Sequence, residues 1–131
     1  MQVQPRRFCQ LAAILLGLAT VIGALGSHAL RSRLPAARYE VLQTAVHYQY
    51  FHSLGLLGLG LLLDRVGAPL LRLAGWLLFA GVLLFSGSLY LILAGAPRFI
   101  GALTPVGGLA LILAWGLAAW ALGAPSSDRA S

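Results

Sequence analysis

The side chains in this chain that could do chemistry are three histidines and the polar groups around them. His28 closes one apolar run; His47 and His52 open the next, with Gln49 between them. An imidazole can bind a metal, ligate a haem or carry a proton. Each use makes a demand on spacing. A zinc-binding helix presents its histidines four residues apart. His47 and His52 are five apart and point about 140° away from each other on a helix. His28 can join either one only across helices. A proton or solute pathway through lipid needs an acid at depth, whereas Glu40 falls at a helix start and Asp64 in a turn. No Ser-His-Asp or Cys-His order, paired carboxylates or phosphate loop is evident. The glycines lack the preceding strand that a dinucleotide fingerprint requires. The patterns assign no catalytic residue, no metal site and no cofactor, and point away from an enzyme.

The elements that must position these groups are apolar throughout. Hydrophobic residues make up 60% of the 131 and charged residues 9%. A soluble domain carries about 25% charged residues, so a water-soluble fold is close to excluded. The formal charge of +6 comes from nine arginines and no lysine against three acids. Those arginines flank apolar runs, which points to anionic headgroups and away from nucleic acid. Cys9 has no second cysteine to pair with and stands before the first apolar run, so it does not fit a lipoprotein cleavage site.

The expected fold is all-α: an integral membrane four-helix bundle forming one domain. Its spans are predicted at about 8–30, 46–63, 70–93 and 103–122, followed by a flexible tail over 123–131. The Leu/Gly run Leu54–Leu63 is too short to cross a hydrocarbon core, which needs roughly 20 helical residues. Helix two is therefore extended back to about Pro35, a residue suited to a first helical turn. Glu40, Gln43, Thr44 and His47 share a face of that extension, making it an amphipathic N-terminal ramp. Thr104 is placed as the N-cap of the fourth helix and Pro105 as its first residue. A cleaved signal peptide is the rival reading of the first run, with Ala24-Leu25-Gly26 as the cleavage site. That run is longer than a usual signal core, and three more follow it.

Small residues recur at packing intervals: Ala12, Ala19 and Gly26; Ala74, Gly81, Ser88 and Gly95; Ala110, Ala114 and Ala118. Such stripes let membrane helices approach closely. Four crossings put both termini on one side. Arg6, Arg7, Arg65, Arg72 and Arg129 gather there, against Arg31, Arg33, Arg38 and Arg98 opposite, a five-to-four bias that slightly favours cytoplasmic termini. The same topology draws a candidate polar cluster toward the other side. His28, Glu40, Thr44, Tyr48, Gln49 and His52 come from the first two helices. Ser86, Ser88, Tyr90 and Thr104 come from the last two. Polar groups inside a membrane are costly unless they pair, and often mark function; interhelical hydrogen bonding is the plainer account of them.

Four strings, in order, carry a resemblance: GALGSHAL (Gly23–Leu30), TAVHYQYFHSLGLL (Thr44–Leu57), FSGSLYLILAG (Phe85–Gly95) and TPVGGLALILAW (Thr104–Trp115). Together they resemble the family classed as domain of unknown function 423, the YgdD-like small inner-membrane proteins, over about Phe8 to Leu122. The resemblance implies four transmembrane helices and an uncleaved first span, and it implies no activity. The matching positions are His28, Tyr48, Gln49, His52, Ser86, Gly87, Ser88, Tyr90, Thr104, Pro105, Gly107 and Gly108. The chain departs from the pattern at Ser27, at Phe51, and at His47, where the family commonly has Arg.

The function expected is that of a non-enzymatic structural or accessory protein of the bacterial inner membrane. Its partners would be the bilayer and a membrane protein or a second copy, the small-residue stripes being the motive. The alternative is a binder of a small membrane ligand, a quinone, lipid or haem, at His28, Gln49, His52 and Tyr90.

Overall fold

The computed structural model describes residues 3–125, and the end of the expected tail, 126–131 with Arg129, lies outside the described residues. Four long helices carry the fold. α1 spans Val3–Leu25, α2 Ala36–Val66, α3 Pro69–Leu93 and α4 Leu103–Gly123. α1 continues into a π-helical turn, Gly26–Leu30, and a 3₁₀ turn, Arg98–Ala102, leads into α4.

The stops follow from Pro and Gly. Pro35 precedes α2 in an extended conformation, and Pro69 opens α3 in its first turn. Gly67, at φ 64°, ends α2 with its N–H on the Leu63 carbonyl at 2.9 Å. Gly95, at φ 99°, makes the turn after α3. Both conformations are ones that a Cβ disfavours. Thr104 is not the N-cap of α4. The preceding 3₁₀ turn runs straight into the helix through Ala102, and the Thr104 hydroxyl bonds Ser88 instead.

Three stretches are long and apolar enough to cross a membrane: Val3–Leu30, Pro69–Leu93 and Arg98–Gly123. α2 is not among them, although the sequence predicts a span over 46–63. The reason lies in its own middle, where His47, Gln49, His52 and Ser53 dilute the apolar residues. α2 packs against α1 on one flank and α3 on another, and leaves an outer face with Phe51, Leu54 and Leu61 exposed.

Adjacent helices run antiparallel. Along the α1–α2 contact, Gly60 lies against Phe8 and Gly26 against Leu42. Along α2–α3, the Ser86 hydroxyl donates to the Ala45 carbonyl at 2.7 Å, and Gly55 lies against Leu78. α3 and α4 make the closest seam. A Cβ at Gly81 would strike the Leu111 side chain, and one at Gly107 would strike the backbone of Phe85. Phe8 reaches past α2 to meet the Trp76 ring edge-on at 5.0 Å, tying α1 to α3 at that end.

The small-residue stripes face inward. Ala12, Ala19 and Gly26 are buried, as are Ala74, Gly81 and Ser88, and on α4 Ala114 and Ala118. Gly95 falls beyond the end of α3. Large apolar residues stand on the outer faces of the helices, among them Ile112, Leu109, Phe51 and Trp120.

Candidate functional site

The polar residues form separate constellations, two of them on α2 and one between α3 and α4. The first centres on Gln49, which is 3% exposed. Its Nε2 donates to the Leu15 carbonyl of α1 at 2.7 Å, and its Oε1 accepts from the Tyr90 hydroxyl of α3 at 2.7 Å. One side-chain amide thus bonds to both neighbouring helices. Beside it the Ser86 hydroxyl reaches the Ala45 carbonyl. Gln49, Ser86 and Tyr90 floor a shallow groove of about 170 Å³ between α1 and α3, walled by Leu18, Ile22 and Leu83.

The second constellation lies toward α4. Trp115 Nε1 donates to His52 Nδ1 at 3.0 Å. That bond places the neutral imidazole's own proton on Nε2. Trp115 covers Gly55, where a Cβ would overlap its ring. Tyr48 stacks on Phe85 at 4.1 Å and stands 5.4 Å from the His52 ring, so an aromatic run links α3, α2 and α4.

The third is the pair Ser88 and Thr104. The Ser88 hydroxyl donates to the Phe85 carbonyl at 2.9 Å. Its single proton being placed there, Thr104 is the donor in their mutual bond.

The remaining sequence candidates stand apart from these groups. His28, in the π-helical turn, is exposed and takes no part in the bonds around Gln49 or His52. Glu40 and Thr44 are exposed on the outer face of α2. The grouping of His28, Gln49, His52 and Tyr90 is therefore not one cluster. Gln49 and Tyr90 bond each other, His52 bonds Trp115, and His28 is at the surface. His47 and His52 part as helical geometry requires: His47 faces the α1–α2 cleft, and His52 faces α4. Among the described residues, no three His, Cys, Asp or Glu side chains converge as a metal site would need.

Two participants carry no obvious mark in the sequence. Trp115 reads as one more apolar residue of the fourth run, and its only signal is an indole N–H that needs a partner when covered. Arg38 reads as a connector cation, yet its Nη2 donates to the Leu93 carbonyl at 2.7 Å, at the last turn of α3. Cations favour that end of a helix, so its place beside α3 on the shared side was the available clue.

Comparison with known proteins adds a family. The model described as protein of unknown function (DUF423) matches residues 22–108. The chain is 42% identical over 109 residues to the UPF0382 membrane protein YwdK of Bacillus subtilis, covering 82% of this chain and 89% of that one. It is 40% identical over 108 residues to the UPF0382 membrane protein SSP2132 of Staphylococcus saprophyticus, covering 82% and 89%. It is 35% identical over 112 residues to the UPF0382 inner membrane protein YgdD of Escherichia coli K12, covering 85% and 86%. No solved structure matches.

Proposed function

Because the chain belongs to the DUF423 family of proteins of unknown function, we propose that it is a multi-pass inner-membrane protein with a structural or accessory role and no catalytic one. All four helices cross the bilayer, α2 included. The observation that carries this is the placement of Gln49. The helix least suited to lipid turns its largest buried polar side chain onto α1 and α3, where both ends of the amide are bonded. A polar group held that way no longer bears the cost of facing hydrocarbon. Relatives named as membrane and inner membrane proteins support the same location.

The role follows from what the surface offers. The stripes that would seat a partner helix closely are taken up between α1, α2, α3 and α4. The bulky apolar residues left outside suit acyl chains. A ligand site at Gln49 and Tyr90 gains little support, since these groups bond each other.

Reporter fusions test the crossing pattern. Fusions placed after Arg33 and after Gly95 should report one side, and fusions after Gly67 and at the C-terminus the other. Reporters after Arg33 and Gly67 on the same side would overturn it.

A further inference from the structure

A cleft of about 230 Å³ opens between the end of α1 and the first half of α2. Along α2 it runs from Tyr39 to Tyr50, about 16 Å at helical rise. Polar and apolar groups alternate along that length. Ser27, Tyr39, Gln43 and His47 offer hydrogen-bonding groups, and Ile22, Leu42 and Val46 an apolar strip between them. The inner end is shut by Tyr50, whose hydroxyl donates to Thr20 Oγ1 at 3.0 Å. The π-helical turn builds the mouth: Gly26 lines the cleft, and its carbonyl accepts the Arg31 N–H at 2.9 Å. The basic connector therefore starts at the cleft itself. Arg31 and Arg33 are exposed, while Arg38 is engaged on α3. Glu40, next to the lining residue Tyr39, is exposed like Arg31 and Arg33, and none of the three lines the cleft itself, so the two connector arginines outnumber the one acid beside it.

A slot with exposed arginines on the connector that leaves its rim, hydrogen-bonding groups and apolar side chains along its wall, and a closed end matches an amphiphile in shape and charge. We propose that it binds an anionic phospholipid, with one acyl chain along Leu42 and Val46 and the phosphate at the mouth between Arg31 and Arg33. This rests on the membrane-crossing reading above. A chain that does not cross would betray itself in the reporter fusions, while a crossing chain without lipid preference would fail only here.

The test is native mass spectrometry of the full chain in mild detergent, with phosphatidylglycerol or phosphatidylcholine added. An arginine near a lipid surface is worth roughly fivefold in binding. Phosphatidylglycerol should be retained over phosphatidylcholine, and Arg31→Gln with Arg33→Gln should lower its retention about 25-fold while sparing phosphatidylcholine. Arg98→Gln, on the same surface but between α3 and α4, should leave both lipids unchanged. His47→Trp, adding bulk to the cleft wall, should weaken both. Equal retention of the two lipids would overturn the proposal, as would an equal loss in Arg98→Gln. Displacement of the lipid by inorganic phosphate at matched concentration would show a free-anion site and overturn it too.

Discussion

The Tyr90 hydroxyl donates to Gln49 Oε1 at 2.7 Å, while the same amide donates through Nε2 to the Leu15 carbonyl of the opposite neighbour. Gln49 is thereby a three-helix fastener in the helix that lipid would otherwise accept least. Its contribution is separable by a double-mutant cycle. Tyr90→Phe removes one bond and keeps the ring; Gln49→Leu removes both bonds. Interhelical hydrogen bonds in membranes contribute about 0.6 kcal/mol on average and up to roughly 1.7. The coupling between the two substitutions should fall in that range, and Gln49→Leu alone should cost more than Tyr90→Phe. Reversible unfolding in mixed detergent micelles measures all four corners. Additive effects would mean that the bond contributes nothing.

The α3–α4 seam predicts a contrast between two glycines on one helix. Gly107→Ala would drive a methyl into the Phe85 backbone, which has no side-chain freedom with which to yield. Overpacking of this kind costs about 1–3 kcal/mol, occasionally more. At Gly116 nothing lies within 4 Å of an added Cβ. Gly116→Ala should be neutral or gain a few tenths, up to about 1 kcal/mol, from helix propensity. Thermal unfolding of the two variants side by side checks this; equal effects would mean that the seam is not close-packed at Gly107.

Glycines such as these also show what the sequence made readable. The seven-residue recurrence of Ala12, Ala19 and Gly26 and of Ala74, Gly81 and Ser88 exposed the packing faces, because small side chains are used where backbones meet. The breaks at Gly67, Pro69 and Gly95 were legible for the same local reason. The site was less legible because its acceptors are main-chain carbonyls. Leu15, Ala45 and Leu93 each receive a side-chain donor, and a carbonyl leaves no trace in residue type. Polar residues could be assigned to one end of the fold, but not to partners. Their division into Gln49–Tyr90, His52–Trp115 and Ser88–Thr104 depends on side-chain directions across helices. The π-helical turn that moves His28 outward was equally hidden, although Gly26-Ser27 is the kind of pair at which helices distort.

The His52–Trp115 bond gives a spectroscopic prediction. Trp115→Phe keeps an aromatic ring over Gly55 and deletes only the indole N–H and part of its area. His52→Leu leaves the indole donor facing an aliphatic group. Fluorescence of a chain carrying Trp76→Phe and Trp120→Phe reports Trp115 alone. Adding His52→Leu should shift its emission to the blue, as the hydrogen-bonded indole loses its acceptor, while His52→Gln should largely restore the parent spectrum. Unchanged emission in His52→Leu would show that the indole is not bonded to the imidazole.

Arg38 closes the list of contacts that can be tested one side chain at a time. Its guanidinium reaches across the connection to the Leu93 carbonyl, one of the acceptors that a helix leaves unpaired in its last turn. The interaction joins the start of α2 to the end of α3 and adds the attraction of a cation for the helix C-terminus. A charge-assisted bond of this kind contributes about 1.5–3 kcal/mol when covered, and less at an exposed site such as this one, where about 0.5–1 kcal/mol is expected. Arg38→Ala should remove it, and Arg38→Lys should keep the charge while losing part of the reach. The effect is local, so it is best read locally. Hydrogen exchange at the amides of Leu91–Gly95 should accelerate several-fold in Arg38→Ala and less in Arg38→Lys. The amides of Leu71–Leu78, at the far end of the same helix, should be unaffected. Acceleration along the whole of α3 would mean that Arg38 supports the fold globally and does not act as a cap.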